Sequence, residues 1–210
     1  MERITVPDCV KIPQPVWEKI ESGGQVNLEL GCGNRKRHAD SIGIDRLEYD
    51  AVDIVGDIES TLARFPEQSV DRVYSHHCFE HLDSLDRIMD QLARAMKPKG
   101  ALHVEVPHFS NPYYYSDHTH RQPFGLYSFS YLAKDALFQR RCPTYQRQIH
   151  FELKQVKLVF KSPRPFYGRY GIKKVFQGIF NLNRYMAEFY EENLCWVIPC
   201  YEICYDLERM

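Results

Sequence analysis

Hydrophobic and polar positions follow a regular order from Val26 to Pro107. Val26-Asn-Leu-Glu-Leu30 is a short apolar run that leads into two glycines one residue apart, Gly31 and Gly33. A second apolar run, Ser41-Ile-Gly-Ile-Asp45, follows and ends in an acid. The order predicts strand, glycine turn, helix, strand, carboxylate, the front half of a nucleotide-binding α/β unit. Further on, Asp83 or Ser84 is placed to cap a helix with Leu85, Ile88, Met89, Leu92 and Met96 on one face. Strands alternating with helices up to Pro107 predict a parallel sheet covered on both faces.

After Pro107 the pattern changes. Residues 108–129 are rich in Pro, Tyr, His and Asp and carry no period, so a long irregular loop is expected. A helix is predicted from Ser128 or Ser130 through Tyr131, Leu132, Ala136 and Leu137. His150 to Lys161 alternates apolar and polar positions, as a strand does. Ile172 to Phe180 and Arg184 to Leu194 read as aromatic-rich helices, and Cys200 to Leu207 as a last strand. Ahead of the sheet, residues 1–25 are a Pro-broken cap segment with a short helix near Val16 to Ser22, stopped by Gly23-Gly24.

The ligand follows from what the first glycine turn lacks and holds. A dinucleotide site places a third glycine three positions after the second, where a helix N-terminus meets a pyrophosphate. Lys36 stands there instead. Glu29, two residues before the first glycine, repels a pyrophosphate and suits a ligand with an ammonium group. Asp45 at the end of the second strand suits a pair of ribose hydroxyls. S-adenosylmethionine (SAM) has an ammonium, a sulfonium, a ribose and an adenine, and no phosphate. Glu29-Leu-Gly-Cys-Gly-Asn34 resembles motif I of the class I SAM-dependent methyltransferases.

The resemblance continues in order along the chain. Val55-Gly-Asp57-Ile58 is similar to the end of the third strand in that fold, where an Asp meets the adenine amine and an apolar residue packs on the ring. Ser69 to Ser75 resembles the fourth strand, and His76-His-Cys-Phe-Glu-His-Leu82 the H-x-x-E-H segment of the small type 11 group. Leu92 to Gly100 resembles the helix end and turn before the fifth strand, Ala101 to Val106, with Lys99 in place of a common glycine. The match spans residues 26 to 107. It implies a Rossmann-like α/β sheet of seven strands in the order 3-2-1-4-5-7-6, the last antiparallel, with residues 162–198 inserted before it. It implies SAM as cofactor, bound by Glu29, Gly31, Gly33, Asn34, Asp45, Arg46, Asp57, Ile58, His76 and His77.

Ligands of such sheets sit at the carboxyl ends of the strands. Pro107-His108-Phe-Ser-Asn111 leaves the fifth strand directly, and Asp117-His118-Thr-His120-Arg121 follows in the same loop. An imidazole titrates near neutrality, so His118, His120 and His108 are candidate bases, with Asp117 as orienter or base. Tyr113, Tyr114, Tyr115 and Tyr127 are placed to wall an acceptor pocket. His108 with Asp117-His-Thr-His120 also has the outline of a shared divalent ion, but the spacing matches no ligand code, and no metal is expected. The Glu80/His81 pair is expected to tie helix to sheet.

Composition sets limits on these readings. At 210 residues one domain with a sizeable core is expected. No apolar stretch approaches the roughly 20 residues of a membrane span, and the N-terminus has no signal-peptide core, so a cytoplasmic protein is expected. Seven scattered cysteines argue for a reducing compartment without a disulfide framework. From Arg140 to Lys174 ten Lys and Arg face the single acid Glu152, interleaved with aromatics. That stretch is a solvated face or a contact for an anionic substrate or membrane surface. Near-neutral pI argues against nucleic acid as partner. The loop and the end Phe189 to Ile203 resemble small bacterial enzymes of surface-polysaccharide synthesis. That likeness implies O-methylation of a sugar, glycan or other small molecule. RNA, another metabolite, or a silent SAM-binding role in a larger complex are the alternatives.

Overall fold

A computed structural model describes Val10 and residues 12–210. The remainder of the N-terminal cap segment lies outside the described residues. The chain divides into two compact units. One reaches to Cys78 and takes in Ser84–His103 and Glu208–Met210. The other comprises Phe79–Asp83 and Val104–Leu207.

The first unit opens with α1 (Gln14–Glu21), which ends at Ser22 before Gly23 turns left-handed at φ +69°. Parallel strands β1 (Asn27–Leu30), β2 (Ile42–Asp45), β3 (Ile54–Val55) and β4 (Val70–His76) follow, with Leu28 opposite Ile42 and Val73. Each residue of β1 is buried, as expected of a strand covered on both faces. α2 (Ile58–Leu62) is capped by Asp57, whose carboxylate accepts from the Ser60 amide. α3 (Leu85–Ala95) is capped by Ser84 and buries Ile88, Met89 and Leu92. Arg94 of α3 donates to the carbonyls of Leu62 and Phe65, both at 2.7 Å, and so satisfies acceptors freed where α2 ends.

β5 (Met96–Pro107) leads on to β6 (Lys134–Asp135), β7 (Phe151–Val159), α4 (Tyr167–Phe180), α5 (Arg184–Asn193) and β8 (Glu202–Arg209). The strands hydrogen-bond in the order β3-β2-β1-β4-β5-β8-β7-β6. This is the class I methyltransferase order, mixed and antiparallel near its end, with the last strand between the fifth and the seventh. The sheet has eight strands where seven were expected, because the two residues of β6 pair in parallel with β7. The core of the second unit is aromatic: Phe124, Phe129, Phe151, Phe160, Tyr190 and Tyr205 are all but inaccessible to solvent.

Two predicted helices do not form. Between β1 and β2 residues 31–40 make turns and bends. Cys32 and Ala39 are their only apolar side chains, so a helix there has no apolar stripe to bury. After Ser128 a single 3₁₀ turn (Ser128–Tyr131) gives way to β6. The Asp135 carboxylate accepts from the Leu137 amide at 2.7 Å, a local bond that competes with helix propagation.

Lys99 takes φ +64°, the left-handed region that costs an L-residue about 1–2 kcal/mol. Replacing it with glycine gives back part of that strain against a larger unfolded-state entropy. Lys99→Gly is expected to raise unfolding free energy by up to about 1 kcal/mol. Urea titration checks this, and a fall in stability contradicts it.

Candidate cofactor and acceptor sites

In the first unit the segment after β1 is built around carboxylates. Glu29 is 2% exposed. One oxygen accepts the Arg37 amide at 2.9 Å and the other accepts the His38 amide at 2.9 Å, while the Ser41 hydroxyl, 3.2 Å from the second oxygen, makes its shorter bond of 2.6 Å to the His38 carbonyl. The acid expected to meet the ammonium of the ligand also anchors the turn. Gly31 and Gly33 both have positive φ, +67° and +58°. A Cβ on Gly31 would lie 2.6 Å from Cβ of Cys78, whereas one on Gly33 meets nothing within 4 Å. Gly31 is therefore required by packing and conformation. At Gly33 the backbone is open to close approach.

Asp45 ties this turn to β2. One oxygen accepts the Gly33 amide at 2.8 Å and the other the Leu47 amide at 2.9 Å. A carboxylate offers about four lone-pair directions, so Asp45 retains acceptors for a diol. Asp57 bonds the amide and hydroxyl of Ser60 and pairs with Arg46 at 3.2 Å. Burial pushes its carboxyl up, but the Ser60 bonds and Arg46 outweigh that and hold it below its ordinary value. Ile58 beside it is buried, and Asn34 is exposed in the turn. Carboxylates at the ends of two adjacent strands, with an open glycine backbone, fit a cationic nucleoside and not a pyrophosphate. Lys36 is drawn away to Asp53 at 2.8 Å and to the Ser41 carbonyl.

His76 belongs to a cluster that the sequence did not reveal. Arg37 donates to His76 Nδ1 at 3.1 Å, which leaves the proton on Nε2 to reach His38 Nε2 at 3.2 Å. His38 stacks on Tyr74 with centroids 3.6 Å apart. His77, the next residue, takes φ +54° as the chain leaves β4.

In the second unit the polar loop separates into two groups. His108 is fully buried. Its Nδ1 accepts the Ser110 amide at 3.1 Å, so Nε2 carries the proton and donates to Glu191 at 3.0 Å. Glu191 also accepts the Leu126 amide with both oxygens. Both ring nitrogens of His108 are thus engaged within the fold. The aromatic-rich end of the chain showed no sign in sequence of Glu191 as its partner, 83 residues away. Glu191 lines a cleft of about 830 Å³ together with Phe109, Tyr127, Arg140 and Glu188. Burial and the bond to Glu188 push the Tyr127 phenol up.

The other group contains His120. Its Nδ1 lies 2.8 Å from the Tyr114 carbonyl and so donates to it, leaving Nε2 with a lone pair. Asp117 Oδ2 lies 3.7 Å from that Nε2. Tyr114 is buried and stacks on the ring. Asp117 accepts from the amide and hydroxyl of Thr119, which holds its carboxyl below the usual range. His118, Tyr113 and Tyr115 are exposed. None of the ligand-distance clusters among the described residues includes His108, Asp117 or His118, so the metal outline drawn in sequence does not assemble.

Residues 28–104 match the model of the methyltransferase domain family. That segment, a little over a third of the chain, is similar to the family, and together with the fold it marks a SAM-dependent methyltransferase. No curated protein matches the chain. Solved structures share its fold at low identity. A SAM-dependent methyltransferase from Archaeoglobus fulgidus is 17% identical, with TM-score 0.54, over 92% of this chain and 90% of that one. Phosphoethanolamine N-methyltransferase 2 of Haemonchus contortus is 14% identical, with TM-score 0.53, over 92% and 52%. Geranyl diphosphate C-methyltransferase of Streptomyces coelicolor is 11% identical, with TM-score 0.52, over 93% and 78%. No helix among the described residues is long and apolar enough to cross a membrane.

Burial lowers the pKa of His38 from its ordinary 6.5, with the neighbouring His76 adding to the effect and Glu29 opposing it. Below pH 6.5 the unfolded chain therefore binds a proton that the folded ring resists. Stability contributed by neutral His38 is present above that pH and is lost as pH falls toward the depressed value. The thermal midpoint is expected to drop between pH 7.5 and 5.5, and to drop less in His38→Gln. Equal drops in the two proteins would contradict the assignment.

Proposed function

We propose that the chain transfers the methyl group of SAM to a hydroxyl of a small polar acceptor, with a sugar or glycan as the first class to test. SAM is held by the turn at Gly31, Gly33 and Asn34, by Asp45 and Arg46 at its ribose, by Asp57 and Ile58 at its adenine, and by the His76-His77 end of β4. Glu29 holds the turn in shape. The acceptor is handled by the loop 108–129. In methyl transfer an oxygen–carbon bond forms as the carbon–sulfur bond breaks, the electron pair stays on sulfur, and the acceptor proton must leave. Alignment of the two reactants supplies up to roughly 7–11 kcal/mol, and a positioned proton acceptor adds about 10²–10⁴-fold.

One observation carries the hydroxyl reading. His120 has its tautomer fixed by the Tyr114 carbonyl, and its Nε2 lone pair is held beside Asp117. A lone pair so held acts on an acidic oxygen, either by taking its proton or through an ion. An amine acceptor, already nucleophilic when neutral, has less need of such a group. His118, exposed in the same loop, is the second candidate base. Exposed Tyr113 and Tyr115 offer flat faces suited to a sugar ring. The support for a glycan beyond this is the sequence likeness of the loop to enzymes of surface-polysaccharide synthesis.

Calorimetry with SAM tests the cofactor half. Gly31→Ala should abolish binding, because the added Cβ collides with Cys78. Asp45→Ala should weaken it roughly ten- to a hundredfold through lost charge-assisted bonds of about 1.5–3 kcal/mol. His120→Ala should keep SAM affinity within a few-fold and lose about 10²–10⁴ in turnover once an acceptor is found. A search for a 14-dalton difference in cell glycans and metabolites identifies that acceptor. Native SAM affinity in both Gly31→Ala and Asp45→Ala would refute the cofactor site, and near-native turnover in His120→Ala would refute the loop assignment.

A further inference from the structure

The geometry points to a divalent transition-metal site formed by Glu80, His81 and His120. Glu80 and His81 end the 3₁₀ turn Phe79–His81. His120 arrives from the polar loop, which is fastened there by the backbone. The amides of Arg121 and Gln122 donate to the Glu80 carbonyl at 2.7 and 3.1 Å, and the side chains of Arg121 and Asp83 pair. One donor atom from each of the three residues falls within 4.8 Å of the others. Tetrahedral ligation at about 2.0–2.2 Å needs donor separations of roughly 3.3–3.6 Å.

The hydrogen bonds behind the two imidazoles are an independent observation that points to a ligand. The Thr119 hydroxyl has one proton and gives it to Asp117 at 2.6 Å. It therefore accepts from His81 Nδ1 at 2.9 Å. His120 Nδ1 donates to the Tyr114 carbonyl. Each ring thus spends its proton on an oxygen behind it and keeps Nε2 as a lone pair. This is the outer-shell arrangement that fixes tautomer, orientation and basicity in metal-ligating histidines, and its loss typically costs about 10–100-fold in metal affinity. The third donor is a carboxylate that is 1% exposed. Two neutral imidazoles and one carboxylate make a mononegative set suited to zinc or another divalent ion of the first transition row, with a position left for an oxygen ligand. A hydroxyl bound to such an ion is more acidic. Catalytic use of the ion rests on the acceptor role proposed for the loop; its binding does not.

The test uses the full chain, stripped with chelator and titrated with Zn(II) in competition with an indicator, and with Co(II) as a spectroscopic probe. One ion per chain should bind, and the Co(II) complex should show ligand-field bands of a nitrogen–oxygen site. His81→Ala, His120→Ala and the conservative Glu80→Gln should each lower Zn(II) affinity at least a hundredfold. Thr119→Val touches no metal, so it should lower affinity about 10–100-fold and shift the Co(II) bands. It also covers the chance that a ligand variant unfolds. His150→Ala should leave binding unchanged. SAM affinity measured on stripped protein separates this proposal from the methyltransferase reading. SAM binding without stoichiometric Zn(II) binding overturns the metal site alone. Zn(II) binding that survives unchanged in the three ligand variants shows adventitious surface ions and also overturns it.

Discussion

The carboxylate of Glu29 is the interaction on which the cofactor half depends. It is buried on β1 and takes two backbone amides from the segment that follows. A charge so buried is tolerated only when its lone pairs are met. The segment between β1 and β2 has no apolar stripe to make it a helix, so its amides have no helical partners. The two shortages answer each other. Asp45 repeats the device from β2 by accepting the Gly33 amide. Two strand-end carboxylates thus shape a turn whose glycines cannot be replaced without collision or strain.

A negatively lined turn has a chemical consequence. It excludes phosphate and favours a cationic nucleoside, which is how the shape of the turn and the identity of the cofactor become one question. The acceptor is a separate question. The structures that share this fold include a phosphoethanolamine N-methyltransferase and a geranyl diphosphate C-methyltransferase, so the fold by itself fixes no acceptor. The argument for a hydroxyl comes from the loop after β5, where hydrogen bonding sets which nitrogen of each imidazole keeps its lone pair.

Much of this was legible in the chain. The glycine turn and the acids at the ends of β1, β2 and β3 are local features, written in spacing and alternation, while the strand order came from the family resemblance. The missing helices were misread for a physical reason. The order of apolar runs and glycines suggested a helix after Gly33, although ten residues with only Cys32 and Ala39 apolar cannot bury one. The helix placed at Ser128 lost to a local Asp135 bond. Relations across distance were not legible. Nothing near His108 in sequence names Glu191, and nothing near His81 names Thr119 and His120. His108, His118 and His120 look alike as letters in a polar loop. Only their partners separate a fully engaged buried ring, an exposed ring and a ring with one nitrogen held in reserve.

The account stands most directly on the amides that Glu29 is said to hold. Amide hydrogen exchange resolved at Arg37 and His38, in the native chain and in Glu29→Gln, measures them. Protection at both amides in the native chain is expected. It should be lost in the variant together with SAM affinity, while the amides of β4 remain protected. Rapid exchange at Arg37 and His38 in the native chain, or unchanged protection in the variant, would contradict a turn held by this carboxylate.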